Sequence, residues 1–350
     1  MINDASTQWL VQNIIQHAST QSLWLSDENV LKHLPDAKVW QHKPLFVTNR
    51  WDLAQHAKQF GFNAEFNDFD LTAISDNSVD HVFYRVSKEK AVVHHLINEA
   101  QRILKSDGIL WICGQKNEGI KTYVEKASAL FNCAKDIQKD GTNYSSQLVK
   151  GNSSDNILDD ENYRELRPCI NLADTILVSK PGQFGWNKID LGSEFLIAEV
   201  RKLLSGQSKN FQQCLDLGCG YGYLTIASRD FSVKNRTLTD NNAAALITAK
   251  VNCVQLKIEA EIIPTDAGKE LQGKFDLILC NPPFHQGFSV DGDLTEKFLR
   301  NAHRLLTENG VAYFVVNQFI PLEKKAPEFF DHVNLISRNK SFCVFELRKN

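Results

Sequence analysis

"FDLILCNPPFHQGFSVDGDLTEKFLRNAHRLLTENGVAYFVV", residues 275–316, reads as a strand, a loop, a helix, a turn and a second strand. The chain carries the same plan once more in "VDHVFYRVSKEKAVVHHLINEAQRILKSDGILWICG", residues 79–114. Ala100 falls over Ala302, Arg102 over Arg304, Ile103-Leu104 over Leu305-Leu306 and Gly108 over Gly310. Leu96, Ala100, Ile103 and Leu104, and likewise Phe298, Ala302, Leu305 and Leu306, recur at helical spacing and form one apolar face. A glycine three polar residues beyond each helix predicts a turn back into a strand. The repeat therefore predicts an α/β protein made of two like domains, 1–165 and 166–350. The shared Asp and Gly stand 28 residues apart in the first copy (80 to 108) and 34 in the second (276 to 310), so the copy with "NPPF" has a longer loop.

Outward from that repeat, "QCLDLGCGYGYLTIASRD" (213–230) predicts a short strand, a turn built on Gly218, Gly220 and Gly222, and an apolar helix. Glycine suits a sharp turn that brings backbone N–H groups against a ligand. Tyr223 occupies the place of the third glycine of a dinucleotide fingerprint, which disfavours a nicotinamide cofactor. "RTLTD" (236–240) reads as the next strand, with Asp240 at its tip, where a ribose hydroxyl acceptor belongs. Asp240 or Asn241 could equally cap the helix that follows. Asp266 follows the apolar "AEIIP" (260–264) and is a candidate acceptor for an adenine amino group, or else a surface loop residue. Ligands of open α/β sheets bind at this carboxyl edge, and "NPPF" closes the fourth strand there.

Composition sets limits around these motifs. With 43% hydrophobic residues and a net charge of −3 over 350 residues, the chain is globular and not disordered. Residues 1–165 hold 17 Lys+Arg against 22 Asp+Glu, net −5, and residues 166–350 hold 22 against 20, net +2, which sum to −3. Neither half is basic enough for its overall field to hold nucleic acid. Eight scattered cysteines without a C-x-x-C pair argue against disulfides and against a metal site. "MINDASTQWLVQNIIQ" lacks a basic leader, and no apolar run is long enough to span a bilayer, which predicts a cytoplasmic protein with no membrane partner. The acidic, Ser/Asn-rich stretch at 150–166 falls near the predicted domain junction.

"DLGCGYG", with Asp216 standing 65 positions before Asn281 of "NPPF", resembles class I S-adenosylmethionine-dependent methyltransferases that methylate amines. With "KPGQFGWNKIDLGSEFLI" (180–197), "NPPFHQG" and a preceding degenerate copy, the chain resembles the bacterial ribosomal RNA small subunit methyltransferase C family. That resemblance implies two Rossmann-like methyltransferase domains in tandem, the first without a cofactor site. It further implies S-adenosylmethionine as cofactor, bound by Asp216, the three glycines, Asp240, Asn241 and Asp266. The substrate it implies is N2 of a guanine, guanine 1207, of 16S ribosomal RNA in the small subunit, methylated by a monomer without metal. In the first half "PLFVTNR" (44–50) takes the place of the glycine loop and "YRVSK" (84–88) the place of NPPF.

By analogy with NPP-aromatic enzymes, the Asn281 side-chain oxygen and the Pro282 carbonyl accept the amine protons of the substrate, and Phe284 stacks on the extruded base. Two prolines fix the backbone and remove N–H donors, which leaves those carbonyls uncontested by the sheet. His285 is not assigned as a base. Phe184, Gly192 and Ser193 line the methionine end of the cofactor by the same analogy, or simply lead into a helix "LGSEFLIAEVRKLL". Another planar amine as substrate (a large-subunit rRNA guanine, a DNA adenine or a protein glutamine) and a non-catalytic RNA-binding factor stay open as alternatives.

Overall fold

The computed structural model describes residues 4–27, 29–30, 34–151, 156–172, 175–206, 209–283, 285–286, 289–290 and 292–349. The chain divides into two compact units, Met1–Glu165 and Leu166–Asn350.

The first unit runs α1 (Ala5–His17), β1 (Ser22–Ser26), β2 (Leu45–Thr48), α2 (Trp51–Gln59), β3 (Ala64–Phe66), β4 (Val79–Arg85), α3 (Lys90–Ile103), β5 (Leu104–Gln115), α4 (Ile120–Leu130), β6 (Gln138–Asp140) and β7 (Asn143–Val149). Among the described residues its sheet has seven strands in the order β3-β2-β1-β4-β5-β7-β6, with β1 to β5 parallel and β7 returning antiparallel.

The second unit opens on a hairpin, β8 (Arg167–Leu172) and β9 (Thr175–Ser179), followed by α5 (Leu191–Leu204), β10 (Phe211–Leu217), α6 (Tyr223–Ala227), β11 (Val233–Asp240), α7 (Ala243–Gln255) and β12 (Glu261–Pro264). Then come β13 (Phe275–Cys280), the two-residue strands β14 (His285–Gln286) and β15 (Ser289–Val290), α8 (Gly292–Leu305), β16 (Leu306–Asn317), α9 (Leu322–Lys325), β17 (His332–Arg338) and β18 (Phe342–Arg348). Its main sheet follows the same order, β12-β11-β10-β13-β16-β18-β17. Both units thus have the Rossmann-like methyltransferase fold, and the extra loop length of the second copy forms the small β14–β15 hairpin.

Each sheet is apolar on both faces because helices cover both, as parallel strands require. In the first unit α3 and α4 bury Leu96, Ala100, Ile103 and Val124 on one face, while α1 and α2 bury Leu10, Ile14 and Leu53 on the other. In the second, α8 buries Phe298, Leu299, Ala302 and Leu305 on one face and α5 buries Leu196, Ile197 and Val200 on the other. Each such leucine, removed from water, contributes about 1.5–3 kcal/mol.

The expected turn after α3 and α8 is a bulge instead. β5 and β16 start directly at Leu104 and Leu306, and their registers with β4 and β13 skip residues before resuming at Ile109 and Val311. A Cβ at Gly310 would meet Leu306 Cδ1 and Thr307 Oγ1 at 2.8 Å, so glycine is required there by close approach. Arg102 and Arg304 also share a task. Arg102 donates to the carbonyls of Leu71 and Ile74, and Arg304 to those of Gly268 and Leu271, lashing the loop before the fourth strand in each unit.

Strand register corrects one reading of the first half. Leu25 of β1 pairs with Val47 and Tyr84, as Leu217 of β10 pairs with Thr239 and Cys280. "PLFVTNR" is therefore the counterpart of β11, and the position of the glycine loop belongs to Ser26 and Asp27. The acidic stretch also does more than join two units: Asn98 bonds the backbone of Leu158 in both directions, and Tyr163, wholly buried, donates to Asp68 at 2.6 Å. No described helix is long and apolar enough to cross a membrane.

Candidate functional site

The parallel order β12-β11-β10-β13 brings Asp266, Asp240, Asp216 with the glycine loop, and Asn281 to the carboxyl ends of four neighbouring strands. Leu217 pairs with Cys280, so Gly218 and Asn281 leave adjacent strands at the same level.

Gly218, Gly220 and Gly222 have φ of +82°, +54° and +91°, a region that side chains disfavour. The loop they form differs from expectation in one respect. Gly218 and Cys219 both donate to the Thr239 carbonyl, Gly220 to Asp240 Oδ2 and Gly222 to the Cys219 carbonyl, each at 2.9 Å. These N–H groups are spent inside the protein, so the loop offers a ligand a shape without side chains and not a row of donors. That suits a cationic ligand better than a phosphate.

Asp216 lies beneath the loop and is fully buried. Its Oδ2 accepts from the Thr225 N–H at 2.9 Å and the Thr225 hydroxyl at 2.8 Å, while Oδ1 is buried with no hydrogen-bond partner. Burial pushes its carboxyl up to about 7, the bonds from Thr225 pull it down, and the neighbouring Asp240 adds a smaller upward push. A buried carboxylate with one unsatisfied oxygen is a receptor for positive charge.

Asp240 uses Oδ2 on Gly220 and Oδ1 on the Asn242 N–H at 2.9 Å, which fixes its orientation at the tip of β11. Neither Asp240 nor Asn241 caps α7. Asn242 does, accepting from the Ala244 N–H at 2.8 Å, and Asn241 stands half-buried between them. Asp266 pairs with Lys297 of α8, and its N–H donates to Glu270, so it is anchored rather than a free loop acid.

The segment between β9 and α5 is lashed over this edge. Asn242 donates to the Gly182 carbonyl at 2.7 Å, Gln183 to Ser179 and Thr248, and Tyr221 to the Lys188 carbonyl. It delivers Asp190, the N-cap of α5, whose Oδ1 accepts from the Ser193 N–H at 2.8 Å. Phe184 is 80% exposed, whereas Gly192 and Ser193 are buried. A Cβ on Gly192 would press against Phe342 at 2.9 Å, so only glycine lets α5 begin this close to β18.

At the fourth strand Asn281 is half-buried and Pro282 buried. The Asn281 amide nitrogen donates to Asp190 Oδ1 at 2.7 Å and to the Ser193 hydroxyl oxygen at 2.8 Å. Its carbonyl oxygen is consequently directed away from that pair. Sequence reasoning missed Asp190, although an Asp three residues before a Ser, ahead of an apolar helix, is a recognisable cap. Phe284 lies outside the described residues. A concavity lined by Gln213, Thr237, Glu261, Lys274 and Phe275 holds none of the candidate residues. Among the described residues no cluster of three or more His, Cys, Asp or Glu could hold a metal, and all eight cysteines are free thiols.

Residues 174–346 match the family model of the Methyltransferase small domain. A Ribosomal RNA small subunit methyltransferase C of Hamiltonella defensa is 34% identical over 174 residues, 49% of this chain and 50% of that protein. The match thus spans about half of that relative's length. One from Shewanella amazonensis is 28% identical over 306 residues, covering 85% of this chain and 84% of the relative. Among solved structures, a T. thermophilus 16S rRNA N2 G1207 methyltransferase in complex with AdoMet and guanosine superimposes with a TM-score of 0.82 at 20% identity, covering 99% of this chain and 92% of that one. That likeness is one of fold.

Proposed function

We propose that this chain belongs to the ribosomal RNA small subunit methyltransferase C family and transfers a methyl group from S-adenosylmethionine to N2 of a guanine, guanine 1207, of 16S ribosomal RNA in the small subunit. The observation that carries the reading is a buried carboxylate with an unpartnered oxygen and a loop of three positive-φ glycines, one strand away from an amide whose nitrogen is engaged by Asp190 and Ser193 so that its oxygen lies on the other side.

The residues fit the cofactor. When bound, S-adenosylmethionine supplies an electrophilic methyl on a positively charged sulfur. Asp216, Gly218, Gly220 and Gly222 would hold its charged methionine end, Asp240 and Asn241 the ribose, and Asp266 the adenine amino group. The orphaned Oδ1 of Asp216 accounts for a cationic partner, and the glycines leave room that side chains would fill.

A guanine N2 amine is a poor nucleophile because its lone pair is delocalised into the ring. The Asn281 carbonyl oxygen and the Pro282 carbonyl would accept hydrogen bonds from its two N–H groups and so orient the nitrogen for attack on the methyl. Holding two reactants in line can be worth about 7–11 kcal/mol of barrier, so positioning suffices and no strong base is needed. Phe284, by the resemblance, would stack on the base. The proton leaves to water after transfer. That all these residues come from one unit supports a monomer as the catalyst, and a ribosomal substrate supports a cytoplasmic setting.

The test is purified protein with methyl-labelled cofactor on small subunits, large subunits, naked 16S rRNA, DNA and a glutamine-bearing protein, followed by mass spectrometric mapping. Label on N2 of one 16S guanine is expected. Label confined to large subunits, DNA or protein, or absence of any label and of cofactor binding, overturns it.

A further inference from the structure

We infer that Asp190, with Ser193, is a positioning residue that sets which way the Asn281 amide faces and strengthens its oxygen as the acceptor of substrate protons. The inference rests on the reading of Asn281 given above and names a residue that acts through it.

An asparagine side chain can present either its oxygen or its NH2 to a substrate, since the two ends have nearly the same shape. Presented to an amine, the NH2 end would set donor against donor. A carboxylate accepts and does not donate, so Asp190 Oδ1, 2.7 Å from the Asn281 nitrogen, admits only the NH2 end on its side. The Ser193 oxygen at 2.8 Å takes the other amide hydrogen. With both N–H groups engaged, the oxygen is held on the side opposite Asp190 and Ser193. A bond to a charged acceptor also draws amide electron density toward the oxygen and is about twice as strong as one between neutral groups.

The internal repeat provides an independent observation. Asp4 caps α1 as Asp190 caps α5, Thr7 stands three residues on as Ser193 does, and Arg85 stands at the tip of β4 where Asn281 stands at the tip of β13. Asp4 Oδ2 accepts from the Thr7 N–H at 3.1 Å and from Arg85 Nε at 2.7 Å. In both units a helix-capping carboxylate reaches the residue at the fourth strand's tip and demands a donor from it. Arginine satisfies the demand and has no acceptor left. Asparagine satisfies it and keeps one, on the opposite side.

The experiment uses the intact protein and four variants: Asp190→Asn, Ser193→Ala, Asn281→Ala and the double Asp190→Asn/Asn281→Ala. Asn caps helices about as well as Asp, so Asp190→Asn keeps α5 while losing the charge and the enforced amide orientation. Small subunits lacking the modification serve as substrate, and S-adenosylhomocysteine affinity and thermal midpoint are read alongside. We expect kcat to fall about tenfold in Asp190→Asn, with KM for RNA and cofactor affinity within about threefold, because the interaction matters most in the transition state. In the Asn281→Ala background the same change should cost less than about twofold, since the residue acts through the missing amide. Ser193→Ala, which leaves the cap intact, should lower kcat in the same sense by about threefold and reads the coupling if Asp190→Asn does not fold. Full turnover in both single variants, or equal losses with and without Asn281, overturns the inference. Full turnover in Asn281→Ala would instead remove the underlying reading of the strand tip.

Discussion

The two units are built on one frame, and what they share is not what they do. Arg102 and Arg304 lash equivalent loops through backbone carbonyls, Asp4 and Asp190 cap equivalent helices, and Gly108 and Gly310 sit at equivalent bulges. The arginines and glycines are scaffold, whereas Asp4 and Asp190 also reach the residue at the fourth strand's tip. The positions that differ are those of the candidate site. Trp24, fully buried in the core, stands where the second unit has Asp216; Ser26 stands for Gly218, Thr48 for Asp240 and Arg85 for Asn281. Trp24 packs in the core and Arg85 is locked in ion pairs with Asp4 and Glu118, while the Thr48 hydroxyl oxygen accepts from the Arg50 N–H. Core packing and edge chemistry draw on separate residues, so a duplicated fold can keep its interior while the residues at its strand tips diverge.

Arg85 shows how complete the exchange is. It is 4% exposed, bonds Glu118 through both terminal nitrogens at 2.9 and 3.0 Å, and bonds Asp4 through Nε. Burial works against its charge, but Glu118 and Asp4 hold its proton more firmly than usual. Arg85→Ala leaves two buried carboxylates unpaired, a loss of about 3–5 kcal/mol, to be read as an early transition in urea unfolding of the intact protein. Methyl transfer chemistry by the folded fraction should be unchanged. If Arg85→Ala abolished turnover without loss of fold, the first unit would take part in catalysis and the contrast would fail.

The reverse pattern is expected for Asn281→Ala, with kcat down about 10²–10³-fold, cofactor affinity nearly unchanged and the thermal midpoint shifted by little. Single-turnover rates with labelled cofactor measure it. At the second strand the pair Asp240→Ala and Thr48→Ala sharpens the comparison. The former removes the carboxylate that holds Gly220 and Asn242, and should weaken cofactor binding about 10–100-fold, as loss of charge-assisted bonds of 1.5–3 kcal/mol implies. The latter should leave cofactor affinity where it was. Calorimetric titration reads both, and equal effects would erase the distinction.

The smallest effect concerns pH. Burial raises the Asp216 carboxyl to about 7, above its unfolded value near ~4, so the folded state binds the proton more tightly. Its contribution to stability is therefore complete below about pH 4 and is lost as pH rises through about 7. Asp216→Asn keeps an acceptor for Thr225 and removes the titration. Between pH 5 and 8, without cofactor, the unfolding free energy of the second unit should decline less in the variant than in the parent, by about 1–3 kcal/mol. A parallel decline would mean that Asp216 is not the group responsible.

Much of this arrangement was legible from residue order. The apolar faces at Leu96, Ala100 and Ile103 and at Phe298, Ala302 and Leu305 are buried, and α5 occupies 191–204. Periodicity reports these because burial acts on every turn. β1 was less legible: no glycine punctuates "SLWLSDENV", so the first strand yielded its place to "PLFVTNR" until pairing fixed the register. The glycine loop was visible, but its N–H groups turn inward to Thr239 and Asp240, a matter of tertiary hydrogen bonds that glycine spacing does not encode. Asp190 was hidden for a similar reason. It lies 91 residues from Asn281 in sequence, and only the approach of α5 to the end of β13 brings them together.

On the proposed function, one half of the duplicated frame holds the methyl donor. Calorimetric titration of the intact protein with S-adenosylhomocysteine tests it most directly, run in parallel on Asp240→Ala and Thr48→Ala. One site per chain, weakened by the first change and indifferent to the second, is the predicted result. Two sites per chain, or a single site that Thr48→Ala weakens and Asp240→Ala spares, would contradict it.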